Sequence, residues 1–463
     1  MSRALIYTAG TAAPAVASLL ILPIVTRLLP QAEYDTVALG TAVIQVGVIM
    51  VALGMGAAIT REYILGSAGA SGARGLVAQS TVISVLLAGF ALATGRWWAP
   101  ALLGRPWDTA LLLSVLASLG GGIVIVAQSY LRGAERPVPF VLLAAGGTLA
   151  GPAVGLCLIA SGARSGTLYL AALAGGYLLA GLAGIVIAFA SGPRAASWRG
   201  LLRALRLGVP TVPHQVALYL AIAGLVVVAD RILDAGGTAN VVLTLGAGAT
   251  VLTGALNNAW APLIYKQTPD RRLAVLTSTT RTILLVVAVL VSTVALTAPF
   301  LVRVATPPGY DHAEMSTGVV LAALSAVPSV YYLASSHLIL VRGRTGALSV
   351  TTPLAVGSGL LLATVLVPVW GIAGIGLSYT AIYVLMALFT TAVQALTFSP
   401  RWGPPAPLLP LVVTGVSTCA ALALPETAWG TGLRLVLLVA VLLGCARPVL
   451  RWLRPVRPDS SPA

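Results

Sequence analysis

TALLLSVLASLGGGIVIVAQSYL, residues 109–131, runs 23 residues without a charge and stops at Arg132. The hydrocarbon core of a bilayer is about 30 Å thick and takes roughly 20 helical residues to cross. Lipid admits only helices or closed barrels, because every backbone N–H and C=O must be bonded within the chain. The run does not alternate with period two, so it reads as a helix in lipid and not as a barrel strand. Similar runs precede it at 5–29, 36–60 and 76–95 and follow it at 138–160 and 167–190. After a basic segment at 193–208 come eight more, at 209–229, 239–264, 273–299, 316–341, 346–367, 372–396, 408–424 and 431–446. The expectation is an all-α polytopic membrane protein with about 14 transmembrane helices.

Composition agrees. The chain is 58% hydrophobic and 8% charged, with 27 Lys and Arg against 12 Asp and Glu, a net charge of +15. A soluble chain carries about a quarter charged residues. Disordered, collagen-like and secreted disulfide-rich classes are excluded, and so is a nucleic-acid partner, since the basic residues come in ones and twos and form no stripe. Cys157, Cys419 and Cys445 lie inside apolar runs without CxxC or Cys/His spacing, so they read as packing residues, and no metal or other cofactor is expected. The first run has no cleavage site in a polar context and reads as a retained span.

Orientation follows from the excess of Arg and Lys in cytoplasmic loops. With the N-terminus inside, 19 of the 27 fall on the inner side, 7 on the outer side, and Arg281 within a span. Both termini are therefore expected to be cytoplasmic. The segment 193–208 divides the first twelve spans into an N-lobe (1–192, spans 1–6) and a C-lobe (209–400, spans 7–12), leaving 401–463 for spans 13 and 14 and a basic cytoplasmic tail. Sets of six imply a parallel repeat about an axis along the membrane normal. Leu131-Arg132-Gly133 after span 4 and Val341-Arg342-Gly343 after span 10 fit that relation.

The sequence contains no P-loop, GxSxG, HExxH or DxD pair, and its outer loops are too short to hold a catalytic domain, so an enzyme is not expected. What remains is the polar content of the spans, where a buried polar group is costly and often functional. In span 7, Pro210 and Pro213 precede His214, Gln215 and Tyr219; in span 8, Thr250, Thr253, Asn257 and Trp260 recur at helical spacing; in span 2, Thr41 and Gln45 share a face. Each patch reads either as a binding surface or as polar helix packing. Arg281 lies about 12 Å deep at roughly 1.5 Å per residue, within reach of snorkelling. Arg27, Arg61 and Arg132 sit at span ends, as topology charges or as holders of an anionic headgroup, and Asp230 and Arg231 are adjacent and placed to pair locally. No carboxylate falls mid-span. A cation-driven exporter of cationic drugs usually needs a deep acid, whereas a cavity of amides and Arg favours an anionic substrate.

In its arrangement and short motifs the chain resembles the polysaccharide flippases of the multidrug/oligosaccharidyl-lipid/polysaccharide exporter superfamily. The resemblance rests on Leu22-Pro23, Thr26-Arg27 and Glu33-Tyr34 around span 1; Leu53-Gly54 and Arg61-Glu62-Tyr63 in span 2; Leu131-Arg132-Gly133; Val209-Pro210 and Pro213-His214; Asp230-Arg231; and Asn258-Ala259-Trp260-Ala261-Pro262 before Tyr265-Lys266. Where that family often has Glu-Tyr-Gly, Asp35 replaces the glycine. The motifs cover spans 1 to 8. The resemblance implies two six-helix lobes around a cavity lined by spans 1, 2, 7 and 8. It further implies alternating access and a polyprenyl-diphosphate-linked oligosaccharide moved to the outer leaflet of the plasma membrane for cell-surface polysaccharide synthesis. By position, Arg27 and Arg61 are then candidates for the diphosphate, with Arg281 a third cation. Gln45, His214, Gln215, Tyr219, Asn257 and Trp260 are candidates for the rest of the cargo. The implied partners are the bilayer, the lipid-linked glycan and, as candidates, glycan-assembly proteins. A cation-coupled multidrug antiporter of the same superfamily and a membrane polymerase or ligase are the alternatives.

Overall fold

The computed structural model describes residues 17–190, 192–195, 197–397 and 401–453. Residues 1–16 and 454–463, which carry Arg3, Arg454 and Arg457, lie outside the described residues. The apolar runs fold as helices packed into one bundle. In chain order these are α1 (Ala17–Leu28), α2 (Gln31–Ala52), α3 (Met55–Leu65), α4 (Gly69–Ala93), α5 (Thr109–Gly133), α6 (Pro137–Ala160), α7 (Gly166–Ala190), α8 (Trp198–Gly208) and α9 (Val212–Leu233). Then follow α10 (Gly236–Gly246), α11 (Gly248–Tyr265), α12 (Pro269–Ala305), α13 (His312–Ala323), α14 (Ala326–Val341), α15 (Leu348–Thr397), α16 (Leu408–Ala423) and α17 (Ala428–Leu453). Among the described residues ten helices are long and apolar enough to cross a membrane, or eleven with the α10–α11 pair, which bends by 45°, taken as one. The chain is thus an all-helical, multi-pass membrane protein.

Breaks in the helices have local causes. Leu53 and Gly54 both take positive φ, 49° and 66°, and separate α2 from α3. A Cβ on Gly54 would sit 2.3 Å from the Gly208 carbonyl oxygen, so only glycine lets the end of α8 approach here. Gly371, at φ 54° and ψ −136°, folds α15 back on itself, and Gly359 in one arm lies against Ile382 in the other. The runs expected at 346–367 and 372–396 are these two arms.

The basic segment 193–208, expected as a linker, is largely the helix α8. Ser197 Oγ accepts from Gly200 N at its start (3.3 Å), and Leu201, Ala204 and Gly208 are buried while Arg203 and Arg206 are exposed. It packs on the first half of the chain. Arg74 Nε donates to Pro193 O (2.7 Å) and Ala195 N to Ser71 O (2.9 Å), and Leu201 and Ala204 join the core of Met55, Ile59 and Leu131. A three-residue turn, Val209–Thr211, then leads into α9.

The core is continuous at one end and divided at the other. One cluster joins Leu22, Tyr34 and Val37 of the first half to Leu225, Val242 and Val319 of the second. Toward α8 it gives way to two separate clusters, one around Met55, Val77 and Leu131, the other around Trp260, Leu276 and Leu338. The halves therefore meet at the end that holds Asp230 and part toward the end that holds α8.

Candidate functional site

At the closed end a set of polar contacts crosses between the halves. Arg105, in the loop before α5, donates from Nε to Asp230 Oδ2 and from Nη2 to Asp230 Oδ1, both at 2.7 Å, with Asp234 Oδ1 at 3.3 Å. Hydrogen bonding to Asp230 makes the Arg105 guanidinium still harder to deprotonate. Asp230 thus pairs across the halves, and its neighbour Arg231 donates instead to Ala101 O and Leu102 O (both 3.3 Å). Asp35, from α2, accepts from Gly237 N at 2.6 Å and so caps the start of α10, while Asn240 Nδ2 donates to Tyr34 Oη (3.0 Å). In the nearby loop, burial, with the charge of Asp35 adding to it, pushes the Tyr310 phenol up to about 12.

Arg27 belongs to this seam. Its Nη1 donates to Val304 O (2.7 Å) and Pro23 O (2.8 Å) and its Nη2 to Arg303 O (3.1 Å), while Thr26 Oγ1 donates to Ala305 O (2.6 Å). The carbonyls of residues 303–305 are the last of α12, where a cation is favoured by the helix dipole and by the unpaired acceptors.

Arg61 differs. It lies on the exposed face of α3 with Ala57 and Ile64, opposite buried Met55 and Ile59, and makes no hydrogen bond or ion pair with the described residues. Arg281 is likewise exposed on α12. Gln45 is half-buried on α2, Gln215 Nε2 donates to Thr211 Oγ1 (2.9 Å), and Tyr219 is 44% exposed on α9. Trp260 is drawn away from any open space. It is 3% exposed, donates from Nε1 to Thr279 Oγ1 (2.8 Å) and stacks edge-on against His337 at 4.9 Å.

His214 and Asn257 are brought together on the wall of a cavity of about 340 Å³ between α9, α11, α14 and α15. Thr250 lines it too, while bonded to Ser325 Oγ at 2.7 Å, and His214 Nδ1 lies 2.8 Å from Thr352 Oγ1. Tyr265, Ser329, Tyr332, Ser336, His337 and Tyr383 complete its polar lining, none of which the sequence reading had assigned to a site. Their only signal was hydroxyl and imidazole groups inside apolar runs, which helix packing explains equally well. Arg105 gave no signal at all, since nothing in a loop residue announces a partner in a distant helix. Among the described residues no group of three His, Cys, Asp or Glu could hold a metal ion.

No family model and no curated protein matches the sequence. Solved structures do match in fold. An inward-facing multidrug resistance MATE family transporter of the MOP superfamily aligns over 84% of this chain and 96% of its own, with a TM-score of 0.64 and 15% identity. Lipid II flippase MurJ, in an inward closed conformation, aligns over 97% of this chain and 99% of its own, with a TM-score of 0.72 and 11% identity. An outward-facing MATE transporter of the same superfamily gives a TM-score of 0.59 at 14% identity over 83% of this chain and 92% of its own. At such identities the likeness is one of fold, and these neighbours are transporters and a flippase.

Proposed function

We propose that this chain is a flippase for a polyprenyl-diphosphate-linked oligosaccharide, carried from the cytoplasmic to the outer leaflet of the plasma membrane by alternating access in the synthesis of cell-surface polysaccharide. The observation that carries the reading is the placement of charge. Every carboxylate among the described residues lies in a loop or within five residues of a helix end. Arg61, at the end where the halves part, is committed to no partner among the described residues. An acid deep in the bundle is what a cation exporter uses, and a free guanidinium suits a diphosphate. The fold neighbour that is a lipid flippase also spans nearly the whole chain.

In this reading there are fourteen spans: two six-helix lobes in parallel repeat and two further helices, with both termini and α8 cytoplasmic. Arg61 takes the diphosphate, Arg281 adds positive potential, and Gln45, Gln215, Tyr219 and Asn257 meet the glycan. Arg27 braces the closed end and Trp260 holds its half together.

The test is flipping of a fluorescent polyprenyl-diphosphate oligosaccharide in proteoliposomes, with wild type and Arg61→Ala at matched protein levels. Losing charge-assisted hydrogen bonds worth about 1.5–3 kcal/mol should slow flipping roughly 10- to 100-fold. No flipping by wild type, together with ion-driven efflux of a small organic cation, would replace this reading with the antiporter.

A further inference from the structure

We propose that the cavity between α9, α11, α14 and α15 is a binding site for a neutral, hydroxyl-bearing group. If the flippase reading above holds, that group is a sugar of the cargo. Ions are argued against by the lining, which contains no Asp, Glu, Lys or Arg. An ion entering it would lose hydration and meet no opposite charge.

Two buried atoms on the wall lack partners among the described residues: Asn257 Oδ1 and His337 Nε2. His337 is 2% exposed. Its Nδ1 lies 3.3 Å from Tyr265 Oη. In a neutral imidazole Nε2 is a donor when Nδ1 accepts from that hydroxyl and an acceptor when Nδ1 donates to it. The wall therefore holds, just beneath its surface, one unused acceptor, the Asn257 carbonyl, and one unused ring nitrogen, His337 Nε2, which donates or accepts according to tautomer. A carboxylate has no proton to give the carbonyl, and an ammonium has no lone pair for the imidazole when it donates. A hydroxyl has both, and a buried polar group left without a partner costs about 1–3 kcal/mol.

The shape agrees with the chemistry. Edge-on contacts from Trp260 at 4.9 Å and Tyr265 at 5.6 Å hold the His337 ring in place. Gly254, Tyr265 and Leu340 on the wall are exposed, while Ser336 and His337 are buried, so the site has an open mouth and a polar floor. A volume near 340 Å³ lies within the usual range for small-ligand sites, about 300–1,000 Å³.

The experiment uses the full chain with its three cysteines replaced by serine and Gly254→Cys as a reporter at the mouth. A Cβ there has nothing within 4 Å, so the reporter is tolerated. The rate of maleimide labelling is measured with a panel of methyl glycosides, and in parallel with sodium chloride, choline chloride and inorganic phosphate. At least one glycoside should slow labelling fivefold or more, the salts should not, and Asn257→Leu and His337→Phe should each abolish the protection. A melting temperature close to that of the parent certifies each variant, and either one alone suffices for the comparison. The proposal is overturned if no glycoside protects, if protection survives the substitutions, or if an ion protects instead. Flipping without glycoside protection would sink this site and leave the flippase reading standing; protection without flipping would do the reverse.

Discussion

Removing one side of the Arg105–Asp230 pair should shift the closed end toward opening, and by unequal amounts depending on which side goes. The Asp230 side chain is 2% exposed and that of Arg105 36%. Arg105→Ala strands a buried carboxylate, a loss of about 3–5 kcal/mol when a buried pair is broken from one side. Because water reaches part of Arg105, the lower end, about 3 kcal/mol, is the better figure. At 1.4 kcal/mol per decade that moves the closed-to-open ratio roughly 100-fold. Asp230→Asn keeps the shape and leaves a guanidinium that can turn to solvent, so about 1 kcal/mol, or fivefold, is expected. Spin labels at Trp97→Cys and Ile232→Cys, both exposed and on opposite halves, would report the closed population by pulsed electron resonance in nanodiscs. The double variant should cost less than the sum, since the two residues share one interaction. The reasoning is refuted if Asp230→Asn opens the end as much as Arg105→Ala does, or if neither changes the distance distribution.

Asp35→Ala should destabilise the start of α10 by about 0.5–2 kcal/mol through loss of the cap on Gly237 N, with Asp35→Asn much milder; thermal melts in detergent distinguish them. Gly54→Ala should lower the melting temperature more than Gly69→Ala. Both take positive φ, which costs about 1 kcal/mol for alanine, but only at Gly54 does the new methyl also meet the Gly208 carbonyl, whereas Gly69 has open space. Arg27→Ala should reduce stability by roughly 0.3–1 kcal/mol through the exposed end of α12, and reduce flipping only in proportion to folded protein. A flipping defect in fully folded Arg27→Ala would return it to the headgroup.

That the chain is an all-helical, multi-pass membrane protein was legible because lipid fixes both the length and the chemistry of a crossing; ten or eleven of the expected fourteen spans pass as single long apolar helices among the described residues. Even the turn at Gly371 falls in the gap left between the runs 346–367 and 372–396. Contacts across the chain were not legible. Asp230 and Arg231 stand side by side and read as a local pair, yet the partner of Asp230 is 125 residues away. Helical spacing grouped Thr250, Thr253, Asn257 and Trp260 in one stripe of α11, of which Thr250 and Asn257 reach the cavity wall while Thr253 and Trp260 turn into the packing. Most of it is spent on packing, through Ser325 and Thr279, and only Asn257 keeps an idle acceptor. Likewise both Arg27 and Arg61 end a run, and only tertiary structure supplies carbonyls to one and none to the other.

The allegiance of α8 relocates the mechanical seam of the polypeptide. Bonds from Arg74 and Ser71 hold residues 193 and 195 to the first half, whereas Ser349 donates to Pro210 O (2.6 Å) from the second. The change of ownership thus falls within the turn Val209–Thr211, which places the hinge for a swivel between halves in three residues. A gene cut after residue 192 would sever a part from the body it rides on. A cut at Val209 would yield two fragments that each carry their own moving piece, the natural pair for coexpression and reassembly.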